Sequence, residues 1–103
     1  MSQNVHSNFI NGEWVDSSTV IDNINPSDTS DIVGRYAKAS NQDCLAAIRA
    51  ANTAFDSWSQ SGLEQRKAVL DFIGAELIAR SGEIGEILAR EEGKTRAEGV
   101  GEV

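Results

Sequence analysis

A chain of 103 residues has room for one small domain or for part of a larger one. Its 40% hydrophobic and 24% charged residues are the proportions of a globular protein rather than a disordered one. Sixteen Asp+Glu against nine Lys+Arg give a formal charge of -7 with no basic stripe, which argues against a nucleic-acid partner. No apolar run approaches the roughly 20 residues that span a bilayer, so no membrane partner is expected. The single cysteine, Cys44, cannot form an internal disulfide, and the opening residues lack the basic-then-apolar pattern of a secretory signal. A cytoplasmic location is the expectation.

Residues 1–8 are polar and are expected to form a disordered tail. Phe9–Val15 places Asn11-Gly12 between two short apolar runs, and both residues tolerate the positive φ that a type I′ turn demands, so a β-hairpin is predicted. After a turn at Ser17-Ser18, the β-branched stretch Thr19–Ile24 reads as a strand. Asn25-Pro26-Ser27-Asp28 reads as a turn, since Pro26 fixes φ and pushes Asn25 out of the helical region. Ile32–Ala39 is the next strand, so that 9–39 is β and 40–103 helical.

Ser40 and Asp43 have the spacing of a helix capping box. Cys44, Ile48, Ala51, Phe55 and Trp58 follow at intervals that lay one apolar face along a helix. Ser61 and Glu64 form the capping box of a second helix, with Val69, Phe72, Ile73 and Leu77 on its buried face. Glu76/Arg80 and Glu86/Arg90 are spaced as i,i+4 ion pairs, and a break is expected near Ser81-Gly82. Ile84, Ile87 and Leu88 continue an apolar face to Gly93, a C-terminal stop. Thr95 and Glu98 box a last helix with only five residues after Glu98, too few for a stable helix alone, so an interrupted chain is expected.

Several residues invite a chemical reading. Gly93-Lys94-Thr95 looks like the end of a phosphate-binding loop, but the glycine that such a loop needs five residues before Gly-Lys is Leu88 here, and the segment follows a helix. Cys44 has no base beside it in sequence and lies on an apolar stripe, so it reads as a packing residue. His6 has no ligating neighbour. Glu91-Glu92 with Glu98 is the densest acidic cluster, read as a solvated helix end or as one carboxylate toward a hard cation. Trp14 and Trp58 read as packing anchors. These residues build no catalytic and no cofactor-binding site, and a complete small α+β interaction module is the alternative to an enzyme segment.

Phe9-Ile10-Asn11-Gly12-Glu13-Trp14-Val15 and then Ile24-Asn25-Pro26-Ser27 resemble the opening of the aldehyde dehydrogenase superfamily. Ala50-Ala51-Asn52-Thr53-Ala54-Phe55-Asp56-Ser57-Trp58, Arg66 and Glu92-Gly93-Lys94-Thr95 follow in the family's order. The chain departs from the pattern at Asp28-Thr29, where Thr-Gly is usual, and at Thr95, where Pro is common. Its end resembles the branch acting on α-ketoglutaric semialdehyde, succinate semialdehyde and similar dicarboxylic semialdehydes. The resemblance implies an α/β fold in which this stretch is the first part of the cofactor-binding domain, a β-hairpin region followed by helices, without the central parallel sheet. It further implies NAD or NADP as cofactor and an aldehyde oxidised to a carboxylate in a parent that is a homo-oligomer, none of whose catalytic residues align here. This stretch by itself is expected to bind no cofactor and to be inactive. Some family members hold a structural monovalent cation through a main-chain carbonyl and a carboxylate, at positions that correspond to Ile24 and Glu91.

Overall fold

A computed structural model describes residues 4–103. Five strands, β1 (Val5–His6), β2 (Asn8–Ile10), β3 (Glu13–Val15), β4 (Val20–Ile24) and β5 (Ile32–Ala37), precede four helices, α1 (Asn41–Ser59), α2 (Leu63–Ala79), α3 (Ser81–Glu92) and α4 (Arg96–Glu102), among the described residues. This is the α/β order of short strands followed by helices that the sequence implies. The chain divides into two compact units, one of residues up to Asn23 with Gly34–Gln60 and one of Ile24–Val33 with Ser61–Val103.

In the first unit, β2 and β3 pair antiparallel with Phe9 opposite Trp14. Asn11 at φ 52 and Gly12 at φ 81 make the turn, as the Asn-Gly pair predicts. The two aromatic rings meet at 4.8 Å, a favourable cross-strand pair. The disordered tail expected over 1–8 is corrected at its far end. Val5–His6 pairs parallel with β5, with Val5 opposite Arg35 and His6 opposite Tyr36, and the His6 and Tyr36 rings stack at 5.0 Å. Asn8 already belongs to β2, while residues 1–3 lie outside the described ones. β5 is the middle strand, flanked by β1 and β4. Helix α1 lies against β2. Its capping box forms in full: the Ser40 hydroxyl accepts from the Asp43 N–H, and the Asp43 carboxylate accepts from the Ser40 N–H. That backbone donor, followed by the Ser40 hydroxyl, holds the Asp43 carboxyl below the usual carboxylate range.

The second unit carries three departures from local expectation. Gly62, in an extended conformation, is the N-cap of α2 with no side-chain cap hydrogen bond, so the helix begins at Leu63, one residue later than a cap at Ser61 would start it. Arg80, at φ -105 and ψ 16, interrupts the helical path between α2 and α3. From that position it pairs with Glu83 at 2.7 Å rather than with Glu76. Glu86 meets Arg96, at 3.7 Å, rather than Arg90. The break expected near Ser81-Gly82 is therefore present, one residue earlier.

Helices α3 and α4 pack through Gly85, Ala89 and Gly99, all buried. The approach is limited by backbone: a Cβ on Gly99 would lie 2.2 Å from the Gly85 carbonyl oxygen and 3.1 Å from the Ala89 Cβ, and one on Gly85 would lie 2.5 Å from the Val100 Cα. Thr95 and Glu98 cap α4 as a reciprocal box.

Ala37 and Ala89 are the buried hydrophobic residues among those described, whereas Phe55, Leu63, Leu70, Phe72 and Ile78 are each more than 60% exposed. The apolar residues that periodicity lays along α1 and α2 remain open to solvent within this chain, including Val69, Phe72, Ile73 and Leu77, the expected buried face of α2. Cys44, on the same stripe of α1 as Ile48 and Phe55, is exposed as well within this chain.

Candidate functional site

The densest long-range polar cluster in the second unit joins the turn after β4 to the last turn of α3. Asn25 starts the turn and organises it: its side-chain oxygen accepts from the Ser27 N–H at 2.9 Å, and its N–H donates to the Asp31 carbonyl at 3.0 Å. This is the local bonding that favours Asn before Pro in turns. The Asn25 amide also donates to the Asp31 carboxylate at 3.1 Å.

Asp31 is then gripped from 59 residues away. Arg90 Nε donates to Oδ2 at 2.8 Å and Nη2 to Oδ1 at 2.5 Å, a bidentate fork, while Nη2 also reaches the Ile32 carbonyl at 3.4 Å. Both side chains are about one-third exposed or less. The Arg90 guanidinium, with the Asn25 amide second, lowers the Asp31 pKa from 3.8 to about 2.

Gly93 closes α3 in the left-handed conformation, φ 75, and its N–H donates to Ala89. The Ser27 hydroxyl donates to the Gly93 carbonyl at 3.2 Å. A Cβ at Gly93 would stand 2.8 Å from the Ser27 hydroxyl and 2.9 Å from Pro26, so the Pro-Ser turn sits directly on the helix stop. Gly93-Lys94-Thr95 is thus a helix end followed by an N-cap. Lys94 bridges Glu102 at 2.6 Å and Glu92, and both raise its pKa, Glu102 the more.

A shallow cleft of about 290 Å³ opens here, lined in part by Asn25, Ser27, Glu86, Arg90, Lys94 and Arg96. Each of its three cations already faces a carboxylate: Asp31 for Arg90, Glu92 and Glu102 for Lys94, and Glu86 for Arg96. Charge in the cleft is compensated in place, so it exerts little net pull on an anion.

Ile24 ends β4 immediately before Asn25, and Glu91 follows Arg90 as an exposed residue in the last turn of α3. The two candidate cation ligands therefore flank the Asn25–Asp31–Arg90 cluster, one on each segment. No group of three or more His, Cys, Asp and Glu is placed to hold a metal ion among the described residues. His6 and Cys44 belong to the other unit and join no such cluster. Asp31 and the partnering role of Arg90 were missed by sequence reasoning. The Asx turn at Asn25 is visible in the sequence, but no local signal connects Asp31 to a residue 59 positions away.

Residues 14–103 match the aldehyde dehydrogenase family. The chain is 40% identical over 98 residues to the α-ketoglutarate semialdehyde dehydrogenase of Haloferax volcanii, covering 93% of this chain and 20% of that protein. Among solved structures, a point variant of Thermus thermophilus 1-pyrroline-5-carboxylate dehydrogenase superposes with a TM-score of 0.89 at 35% identity, over 95% of this chain and 19% of that one. A betaine aldehyde dehydrogenase variant from Staphylococcus aureus, solved in complex with NAD+, superposes at 0.83 with 29% identity, over 90% of this chain and 19% of its own. The chain belongs to the aldehyde dehydrogenase family, and it spans about a fifth of the length of these relatives.

Proposed function

We propose that these residues are the scaffold-forming opening of an NAD(P)-dependent enzyme that oxidises an aldehyde, of the α-ketoglutaric semialdehyde type, to its carboxylate. The observation that carries this reading is the family match along residues 14–103, supported by the identity to a semialdehyde dehydrogenase over nearly the whole chain. The open apolar faces of α1 and α2 fit the scaffold role, being surfaces suited to bury against further structure of the same protein. In such an enzyme the nicotinamide accepts a hydride. The described residues offer no glycine-rich turn between a strand and a helix to hold it, so their share of the reaction is to build and position the domain.

The test compares the 103-residue chain with the protein in its full length, each supplied with α-ketoglutaric semialdehyde and either NAD+ or NADP+, reading the absorbance of reduced nicotinamide. Turnover is expected from the full-length protein and none from the 103-residue chain. Reduction by the short chain would overturn the scaffold role, and a full-length protein inert toward semialdehydes would overturn the substrate class.

A further inference from the structure

The turn between β2 and β3 sets a free side-chain amide next to an unhindered main-chain nitrogen. Asn11 has positive φ, 52, without being a glycine, and both it and Gly12 are exposed. Among the described residues, neither the Asn11 side chain nor the Gly12 N–H has a hydrogen-bond partner. Space at Gly12 is open as well, with no heavy atom within 4 Å of where a Cβ would stand. Asparagine is a thermolabile residue because the nitrogen of the following residue attacks its side-chain carbonyl carbon, and a glycine there has no side chain to crowd the approach. The other asparagines lack this combination. Asn4 and Asn23 precede the β-branched Val5 and Ile24, Asn8 precedes Phe9 within β2, and Asn41 and Asn52 are held in α1. Asn25 precedes Pro26, whose nitrogen has no proton to give up, and its side chain is bonded to Ser27 and Asp31.

We propose that Asn11 is a site of spontaneous covalent modification, converting through a succinimide to aspartate or isoaspartate, and that the isoaspartate product opens the β2–β3 hairpin. The Gly12 nitrogen bonds to Cγ of Asn11, the Cγ–Nδ2 bond breaks, and Nδ2 takes the proton from Gly12 and leaves as ammonia. Water then opens the ring at one of its two carbonyls. Opening at Cγ gives aspartate, which tolerates the left-handed conformation and keeps the turn. Opening at the main-chain carbonyl gives isoaspartate, in which the chain runs through Cβ and Cγ. That extra main-chain atom does not fit a turn of Asn11 and Gly12 alone between Ile10 and Glu13, so the register that sets Phe9 opposite Trp14 is lost. Water is the sole co-reactant, and the inference stands independently of the proposed substrate.

The experiment incubates the full-length protein in mildly alkaline buffer and follows the peptides of residues 1–103 by mass spectrometry, with an isoaspartyl methyltransferase assay to mark isoaspartate. Hydrogen exchange of the 8–15 segment, measured on the same samples, reports the hairpin. The Asn11 amide is expected to be lost before that of any other asparagine in this stretch, with isoaspartate among the products. Exchange is expected to quicken in the isoaspartate form, which chromatography separates, and to stay slow in the aspartate form. Asn11→Gly leaves a Gly-Gly pair that the turn accepts, has no amide to lose, and is expected to keep its protection throughout. An Asn11 amide that outlasts the other asparagines would overturn the site. Unchanged protection in the isoaspartate form, or an equal loss of protection in Asn11→Gly, would overturn the effect on the hairpin.

Discussion

At the scale of single residues, Asp31 is the group whose ionisation bears most directly on the fold. Its pKa lies at about 2 against an ordinary 3.8 because the charged form is held by Arg90 and Asn25. A depressed carboxyl contributes stability that is complete above the unfolded value of 3.8 and is lost as pH falls through about 2. The junction of the 25–31 turn with α3 is therefore expected to persist through mildly acidic conditions and to open only near the bottom of that window. An NMR titration of the Asp31 carboxyl in the folded protein checks this, with a midpoint near 4 as the contrary result. Asp31→Asn is expected to lower stability at neutral pH and to flatten its dependence on pH across the same window. The asparagine at 25 was legible in the sequence as a turn former, whereas the service it gives to Asp31 was not, because that depends on where the turn folds back.

At the scale of elements, glycines with the same helical assignment divide by what surrounds them. Gly74 in α2 has open space where a Cβ would go, while Gly99 in α4 faces the Gly85 carbonyl across the helix pair. Gly74→Ala is expected to stabilise α2 by up to about 1 kcal/mol through propensity alone. Gly99→Ala gains the same intrinsic term but must force α3 and α4 apart, and it is expected to be destabilising by about 1–3 kcal/mol, as overpacking typically is. Urea denaturation of the two variants side by side measures the difference, and equal effects would remove the backbone contact from the account. The same distinction explains which ion pairs sequence spacing misplaced. Arg80 and Arg90 each had a glutamate four residues earlier, yet the interruption of the helix at Arg80 set one against Glu83, and a tertiary contact set the other against the Asp31 carboxylate. An exposed i,i+4 pair contributes only about 0.3–0.5 kcal/mol, so a better-oriented neighbour readily displaces it.

At the scale of the whole chain, the apolar surface dominates. Ile48, Phe55 and Trp58 on α1, and Leu70, Phe72 and Ile73 on α2, remain exposed. The 103-residue chain on its own is expected to bind a hydrophobic fluorescent dye and to associate with rising concentration. A monomer that melts cooperatively without binding dye would instead favour a self-sufficient module. No helix among the described residues is long and apolar enough to cross a membrane.

What the sequence by itself determined is the local grammar. The Asn11-Gly12 hairpin, the boxes at Ser40/Asp43 and Thr95/Glu98, and the left-handed stop at Gly93 all follow from interactions spanning a few residues, where backbone sterics and capping leave few alternatives. Only the tertiary structure decided that Val5–His6 joins β5 as a parallel strand, that Gly85 and Gly99 meet, and that Arg90 closes on Asp31. Periodicity identifies which face of an element is apolar or charged, but the partner of that face is set by chain segments tens of residues away. Their approach depends on the packing of the whole unit rather than on any spacing within a single element.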